Sequence, residues 1–517
     1  MSENKAPGPD LGLGIAVEEL AEGQMLAGAV AGEPVVLIRQ NGRFCAWSGT
    51  CTHLGAPLGE GLLADGQIRC PWHHARFSVS SGEAVGAPAF QPLSRYSTAV
   101  TDGRVFVSAT PTVKSQPPPA KHAGSLAGGA KRVVIIGAGA GGYACAELLG
   151  RAGHADAVTL ISDDPDPPYD RTLCSKQYLI GMTSRADSLM APALAAERRT
   201  GRAVAIDVGD RAVRLEDGER VPFDVLVLAT GGDPVRADMP GFERANVHVL
   251  RTLADADALI AAASAARRVA IIGASFIGLE AAASLKQRNL DVHVIAPDAV
   301  PLEHVLGAEV GRMIRMVHEE KGVVFHLGRK CKSFDGARLT LDDESTVEAD
   351  FVVLGLGVRP RTELAEAAGL ECASAVQGGG VVVNERLETS VPGIYAIGDI
   401  ARYPDVHAGK PLRVEHWVHA QRQGQYLARA LMGKAGGYRD VPFFWSAHFD
   451  TGLKYVGHVG SIAGTRVEGS VEGREFTIGY LGAGEERAFV SCGRDLPALT
   501  VEAEWDGMDP VELQPGK

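Results

Sequence analysis

The sequence has no uninterrupted apolar run of about 18 residues, so no helical membrane span is expected. Its opening residues, MSENKAPGPDLGLG, lack the basic end and apolar stretch of a secretory signal. Basic runs interleaved with aromatics are also missing. The 51 Lys and Arg against 63 Asp and Glu leave a formal charge of −12, which argues against nucleic acid or an anionic membrane as main partner. Eight cysteines in 517 residues are too few for a disulfide framework. Six of them, Cys45, Cys145, Cys174, Cys331, Cys372 and Cys492, are scattered, and no C-x2-C or C-x4-C pair occurs. A redox-active dithiol is thereby excluded, and a reducing cytoplasm is the expected location.

What is plentiful is glycine, at 63 residues, in an otherwise ordinary composition of 45% apolar and 22% charged residues. The length implies three or four domains. Over residues 12–108, short stretches such as EPVVLIRQNGRFCAW and GQIRCPWHHARFSV, broken by N-G and D-G, read as a small all-β domain. Residues 109–131, rich in Pro, Ala and Gly without periodicity, read as a linker. At Val133 the texture becomes βαβ. From 438 onward, alternating strands without a glycine turn read as a smaller α+β cap.

The two remaining cysteines each have a histidine close behind, Cys51 with His53 and Cys70 with His73, in Gly/Pro-rich loops. Two thiolates and two imidazoles suit zinc, or a binuclear iron–sulfur centre in which cysteines hold one iron and histidines the other. Zinc fingers pair like ligands along the chain. The mixed couples here fit a two-loop clamp better.

RVVIIGAGAGGYACAELLG places Gly137, Gly139 and Gly142 between a strand and a helix. Such a turn brings backbone and helix N-terminus to a pyrophosphate. The next strand ends in Asp163 and Asp164, either able to bind a ribose. A second turn, with Gly273, Ser275 and Gly278, opens RRVAIIGASFIGLEAAASLKQRN. Its second strand ends at Ala296 and Pro297, with Asp298 as a weaker acid and no cation close behind, which favours NADH over NADPH.

Family resemblances narrow these readings. The first segment resembles a Rieske domain on C-x-H-L-G, C-P-x-H and the glycine turn in FSVSSGEA, of the ferredoxin type and of the small modules of nitrite reductases. The two extra cysteines of the respiratory-complex type are missing, and His74 stands where Rieske domains commonly carry Gly. The remainder resembles two-dinucleotide flavoprotein reductases, on FDVLVLATGGDPVR, ending a strand at Thr230 and Gly231, and TSVPGIYAIGDIA, ending one at Gly398 and Asp399. PYDRTLCSK, GASFIGLE, RVEHWVHAQRQG and VPFFWSAHFDTGLKYVG are similar to the ferredoxin reductases and apoptosis-inducing-factor-like proteins, whose Rieske-bearing members share this arrangement. Thr172 and Cys174 depart from the usual Pro and Leu.

The resemblance implies FAD in a unit made of 132–255 and 376–437, NAD(P)H in 256–375, and a cap over 438–517. It implies flavin contacts from Arg171 and Lys176, and a catalytic Lys176–Glu280 pair beside the nicotinamide. Glu415, His416 and Trp417 would line the isoalloxazine, with Trp445 approaching from the cap. Cys51, His53, Cys70 and His73 would ligate a 2Fe–2S cluster. The implied reaction runs from NADH to FAD by hydride, then singly to the cluster and on to an outside protein or small molecule; a homodimer is compatible with it. The rivals are a non-enzymatic NADH-responsive redox sensor and a flavin-linked peroxidase using Cys174. A flexible tether over 109–131 spans roughly 25 Å, enough for the histidine edge to meet the flavin domain near Trp445 and to turn outward afterwards.

Overall fold

The computed structural model describes residues 8–113, 125–191, 194–482 and 484–507. In the N-terminal domain the run PVVLI lies in strand Glu33–Gln40, which is buried on both faces. Val35 and Leu37 enter one core with Val105, while Val36 and Ile38 enter another with Trp47 and Phe77. That two-sided burial is why the strand reads as continuous apolar sequence. It belongs to a six-stranded antiparallel sheet that ends in strand Met25–Val30. A second sheet of four short strands, Leu62–Ala64, Gln67–Arg69, Arg76–Ser78 and Ala84–Gly86, packs across it. The ligand loops follow strand Arg43–Ser48 and join Gln67–Arg69 to Arg76–Ser78.

Strand Arg104–Val113 runs past the expected boundary at 108. Pro111 opposes Tyr96 at a register shift, where the missing N–H of proline is tolerated. Residues 114–124 of the expected linker lie outside the described residues.

Two five-stranded parallel sheets follow. The first runs Glu197–Thr200, Val158–Ser162, Val133–Ile136, Val225–Leu228, Ile394–Ala396. Its last strand comes from the expected second flavin segment, so this unit is discontinuous. The second runs Val247–His248, Phe351–Leu354, Arg268–Ile272, Asp291–Ala296, Val324–Leu327. It starts before the expected boundary at 256, because Val247 and His248 pair in parallel with Val352 and Val353. The cap is a five-stranded antiparallel sheet over Phe443–Cys492 with helix Asp495–Gly507 against it. No helix among the described residues is long and apolar enough to cross a membrane.

Candidate active site and metal centre

The two ligand loops are built alike. The Cys51 N–H donates to Ala56 O (2.9 Å) and the Gly55 N–H to Cys51 O (3.0 Å). Likewise the Cys70 N–H donates to Ala75 O (2.8 Å) and the His74 N–H to Cys70 O (3.2 Å). Each loop turns at a left-handed residue, Gly55 at φ 79° and His74 at φ 58°. Backbone N–H groups of His53 and Leu54 face the Cys51 sulfur, and those of Trp72 and His73 face Cys70. The two thiols hydrogen-bond each other, which holds the proton on Cys51 and leaves Cys70 more acidic. The His53 and His73 rings lie 5.0 Å apart, and burial keeps both neutral, the form that ligates metal. A tetrahedral zinc takes all four ligands around one ion. Paired thiols and paired imidazoles instead fit two irons, each with like ligands.

A cavity of about 390 Å³ is walled by both glycine turns and by the cap. Of the cofactor residues expected from the sequence, Gly137, Gly139, Asp163, Arg171, Lys176, Thr230, Gly231, Ser275, Glu280, Gly398, Asp399, Glu415, His416, Trp417 and Trp445 line it. Gly142, Gly273 and Gly278 do not; they shape the turns. A Cβ on Gly142 would lie 1.8 Å from Gly137 O, and one on Gly278 2.4 Å from Gly273 O. At Gly139 a Cβ would meet nothing within 4 Å, so the backbone is open to a ligand there. Helices Ala140–Leu149, Phe276–Gln287 and Trp417–Leu431 all begin at this wall, and their N-termini favour phosphate groups. Trp417 Nε1 is buried without a hydrogen-bond partner, a donor that a polar ligand atom would satisfy. The lining of the cavity fits FAD.

The charged groups sort themselves by contact. Asp163 faces the cavity, 3.6 Å from Arg361, whereas Asp164 accepts from the Tyr169 hydroxyl at 2.7 Å; Asp163 is therefore the ribose candidate. Lys176 Nζ lies 2.7 Å from Glu280 Oε2, which also accepts from Ser175 Oγ at 2.7 Å. His416 stacks on Phe444 at 4.1 Å, and burial pushes its pKa down to about 4. Burial pushes the Cys174 thiol up to about 12, which opposes a peroxidatic thiolate. Sequence reasoning missed Arg251, which pairs with Asp399 at 2.7 Å, and Arg361. Both line the cavity, but neither sits in a spaced motif that would have marked it.

The β domain is seated on this cavity. His73 stands 4.3 Å from Trp445 between ring centroids, and His53 6.5 Å. Behind them His74, buried and stacked on Phe443 at 3.9 Å, hydrogen-bonds Glu502 of the C-terminal helix. Arg422 closes the group, reaching Glu502 Oε1 at 2.6 Å and His74 O at 3.0 Å. Arg69 and Arg76 share Asp506 at 2.7 and 3.1 Å, and Arg76 also pairs with Asp440. Phe90 meets Tyr143 edge to face at 5.1 Å.

Comparison with known proteins agrees with this geometry. Residues 13–97 match the Rieske [2Fe-2S] domain, and residues 131–424 match the pyridine nucleotide-disulphide oxidoreductases. Human (Homo sapiens) apoptosis-inducing factor 3 is 30% identical over 94% of this chain and 82% of its own. The ferredoxin–NAD(+) reductase component of the anthranilate 1,2-dioxygenase system of Burkholderia cepacia is 35% identical over 71% of this chain and 92% of its own. The solved covalent putidaredoxin reductase–putidaredoxin complex superposes with a TM-score of 0.68 at 29% identity, over 74% of this chain and 95% of that one. The chain belongs to the pyridine nucleotide-disulphide oxidoreductase family, as an NAD(P)H-dependent, ferredoxin-reductase-like FAD enzyme with a Rieske 2Fe–2S domain in front.

Proposed function

We propose that electrons from NADH pass through FAD in the cavity to the Rieske cluster of the same chain, and from there to an external acceptor. The observation that carries this reading is the seat of His73 against Trp445, 4.3 Å between centroids, with Trp445 itself in the cavity wall. FAD held by this lining would supply the chemistry that turns a hydride from NADH into two single electrons and one proton. Lys176, held by Glu280, would supply positive charge to a reduced flavin bound in the cavity. Cys51 and Cys70 would hold the inner iron, and His53 with His73 the iron nearer Trp445. Two neutral imidazoles in place of thiolates raise such a cluster to roughly −150 to +300 mV, which makes it a ready acceptor from a reduced nicotinamide. Leu54 and Trp72, each beside a ligand histidine, are exposed and give an outside acceptor access.

The test is anaerobic mixing of full-length protein with NADH while the cluster absorbance is followed at several protein concentrations. A first-order rate independent of concentration supports transfer within one chain or one oligomer, whereas a rate proportional to concentration removes the in-chain step. Fast reoxidation by an artificial one-electron acceptor separates a reductase from a sensor, which would reoxidise slowly.

A further inference from the structure

The Lys176–Glu280 pair does not end at the cavity wall. Ser446 Oγ lies 2.9 Å from Glu280 Oε1 and 3.2 Å from His448 Nε2. His448 Nδ1 lies 3.2 Å from His318 Nε2. With Lys176 Nζ 2.7 Å from Glu280 Oε2, five side chains form one continuous file from the cavity to helix Glu303–Glu320. Ser446, His448 and His318 are buried and stand behind the cavity lining. The far end is His318 Nδ1, buried without a hydrogen-bond partner, while Glu319, Glu320 and Lys321 directly after it are exposed.

We propose that this file is a proton relay, carrying the proton left at the flavin site out past His318. The proposal rests on reading the cavity as that site. Each hydride accepted there leaves one proton behind once its two electrons have gone on singly. Lys176 passes one of its protons to Glu280, and the neutral amine so formed takes up the proton left at the flavin site.

Ser446 has one proton and two neighbours that can accept it, so the file has two polarities. In the loaded state Glu280 is protonated and donates to Ser446 Oγ, Ser446 donates to His448 Nε2, and His448 Nδ1–H donates to His318 Nε2. His318 then carries its proton on Nδ1. Shifting every proton one place outward releases the one on His318 Nδ1 to a solvent water that reaches it as the helix end at residues 319–321 opens. The resting state follows: Ser446 donates to a Glu280 carboxylate, His448 Nε2–H to Ser446, and His318 Nε2–H to His448 Nδ1. One proton has left and neither imidazole has gained charge.

Neutral imidazoles are what such a file needs, since each must donate through one nitrogen and accept through the other. Burial pushes His448 down to about 3, helped by the Lys176 charge, and holds His318 well below its ordinary value, helped by His448. The charged groups facing the file are Lys176 and Glu280 at its inner end, and the exposed Lys321–Asp450 pair at its outer end. The rings of Phe325 and Phe449 pack on His318 with centroids at 6.0 and 5.2 Å.

The experiment reduces the holoprotein with NADH without oxygen and then mixes it with ferricyanide in weak buffer containing a pH-indicator dye. Ferricyanide takes electrons from the flavin site whether or not the cluster does. His448→Phe and His318→Phe should slow proton release and reoxidation about tenfold or more, and His318→Gln, whose amide holds a hydrogen bond but cannot pass a proton through, should stay slow; recovery in His318→Gln would overturn the relay by showing that His318 acts only structurally. Reduction by NADH, which leaves no proton to expel, should keep its rate. The flavin spectrum and midpoint potential should stay at wild-type values, showing an intact pocket. Wild-type proton release in both Phe variants overturns the relay. So does slowing that comes with a shifted potential, because the histidines would then only support Glu280. If the wild-type protein carries no flavin for NADH to reduce, the reading of the cavity falls instead.

Discussion

The imidazole of His74, in the second ligand loop, hydrogen-bonds the carboxylate of Glu502 across 428 residues of chain. With Arg422 on the other carboxylate oxygen, this buried group ties the loop that carries His73 to both the flavin unit and the cap. Glu502→Gln leaves Arg422 without its hydrogen-bonded carboxylate. Removing one partner of a buried pair costs about 3–5 kcal/mol, enough to loosen the seat of the β domain. Cluster reduction by NADH should slow and hydrogen exchange over residues 70–75 should rise, while flavin reduction keeps its rate. Unchanged cluster kinetics would show that the seat is not the transfer geometry.

The same interface sets an acid limit. Burial alone would push the Asp440 carboxyl up, but Arg76 and Arg422 hold it down at about 2. Glu502 is likewise held well below the carboxylate range by Arg422 and His74, against its burial. A carboxylate depressed on folding contributes stability that is present above its free value, near 4, and lost as pH falls through that value toward the folded one. The chain should therefore keep its melting temperature from pH 7 to about 5 and lose it below about 4. Thermal unfolding across that range checks this, and Asp440→Asn should flatten the fall.

Local chemistry made much of this molecule legible. Cys51, His53, Cys70 and His73 lie within two short loops, and each glycine turn sits between its own strand and helix, so spacing carries the signal. The partners across the chain were not legible. Arg251 meets Asp399, Arg361 meets Asp163, and His74 meets Glu502 only after folding, and a lone charged residue has no periodicity to betray it. The choice of Asp163 over Asp164 depended on where Tyr169 turns its hydroxyl. The early start of the second sheet rested on two residues, Val247 and His248, too short a run to read as a strand.

Lys176→Ala should slow flavin reduction by NADH roughly 100-fold, the scale of losing one well-placed electrostatic group, and Glu280→Ala should slow it less because the cation remains. Stopped-flow traces at the flavin band measure both, with the cluster spectrum as internal control. Wild-type rates in both variants would remove the pair from the reaction.

Each chain should carry about two irons and two acid-labile sulfides. His73→Ala should lose the cluster but keep FAD, because the flavin site is built from other domains. Stoichiometric zinc without sulfide in the wild-type protein would overturn the assignment of these four ligands.

Coenzyme choice turns on a residue that comes late in the sequence. No cation closely follows the strand Asp291–Ala296, but Arg329 arrives from beyond the next strand, its N–H donating to Ala296 O at 3.1 Å. Its guanidinium is held by Asp343 at 2.9 Å, and Asp298 stands nearby with His304 at 3.6 Å. A ribose 2′-phosphate placed there would meet Asp298, while the positive charge is already engaged, so NADH should have the higher kcat/KM. Asp343→Ala frees Arg329, and one charge-assisted hydrogen bond of about 1.5–3 kcal/mol should raise kcat/KM for NADPH by about tenfold or more. Arg329→Ala added to that variant should cancel the gain. A wild-type kcat/KM for NADPH equal to that for NADH would sink the argument. A gain in Asp343→Ala that survives removal of Arg329 would show that the preference is set elsewhere in the second turn.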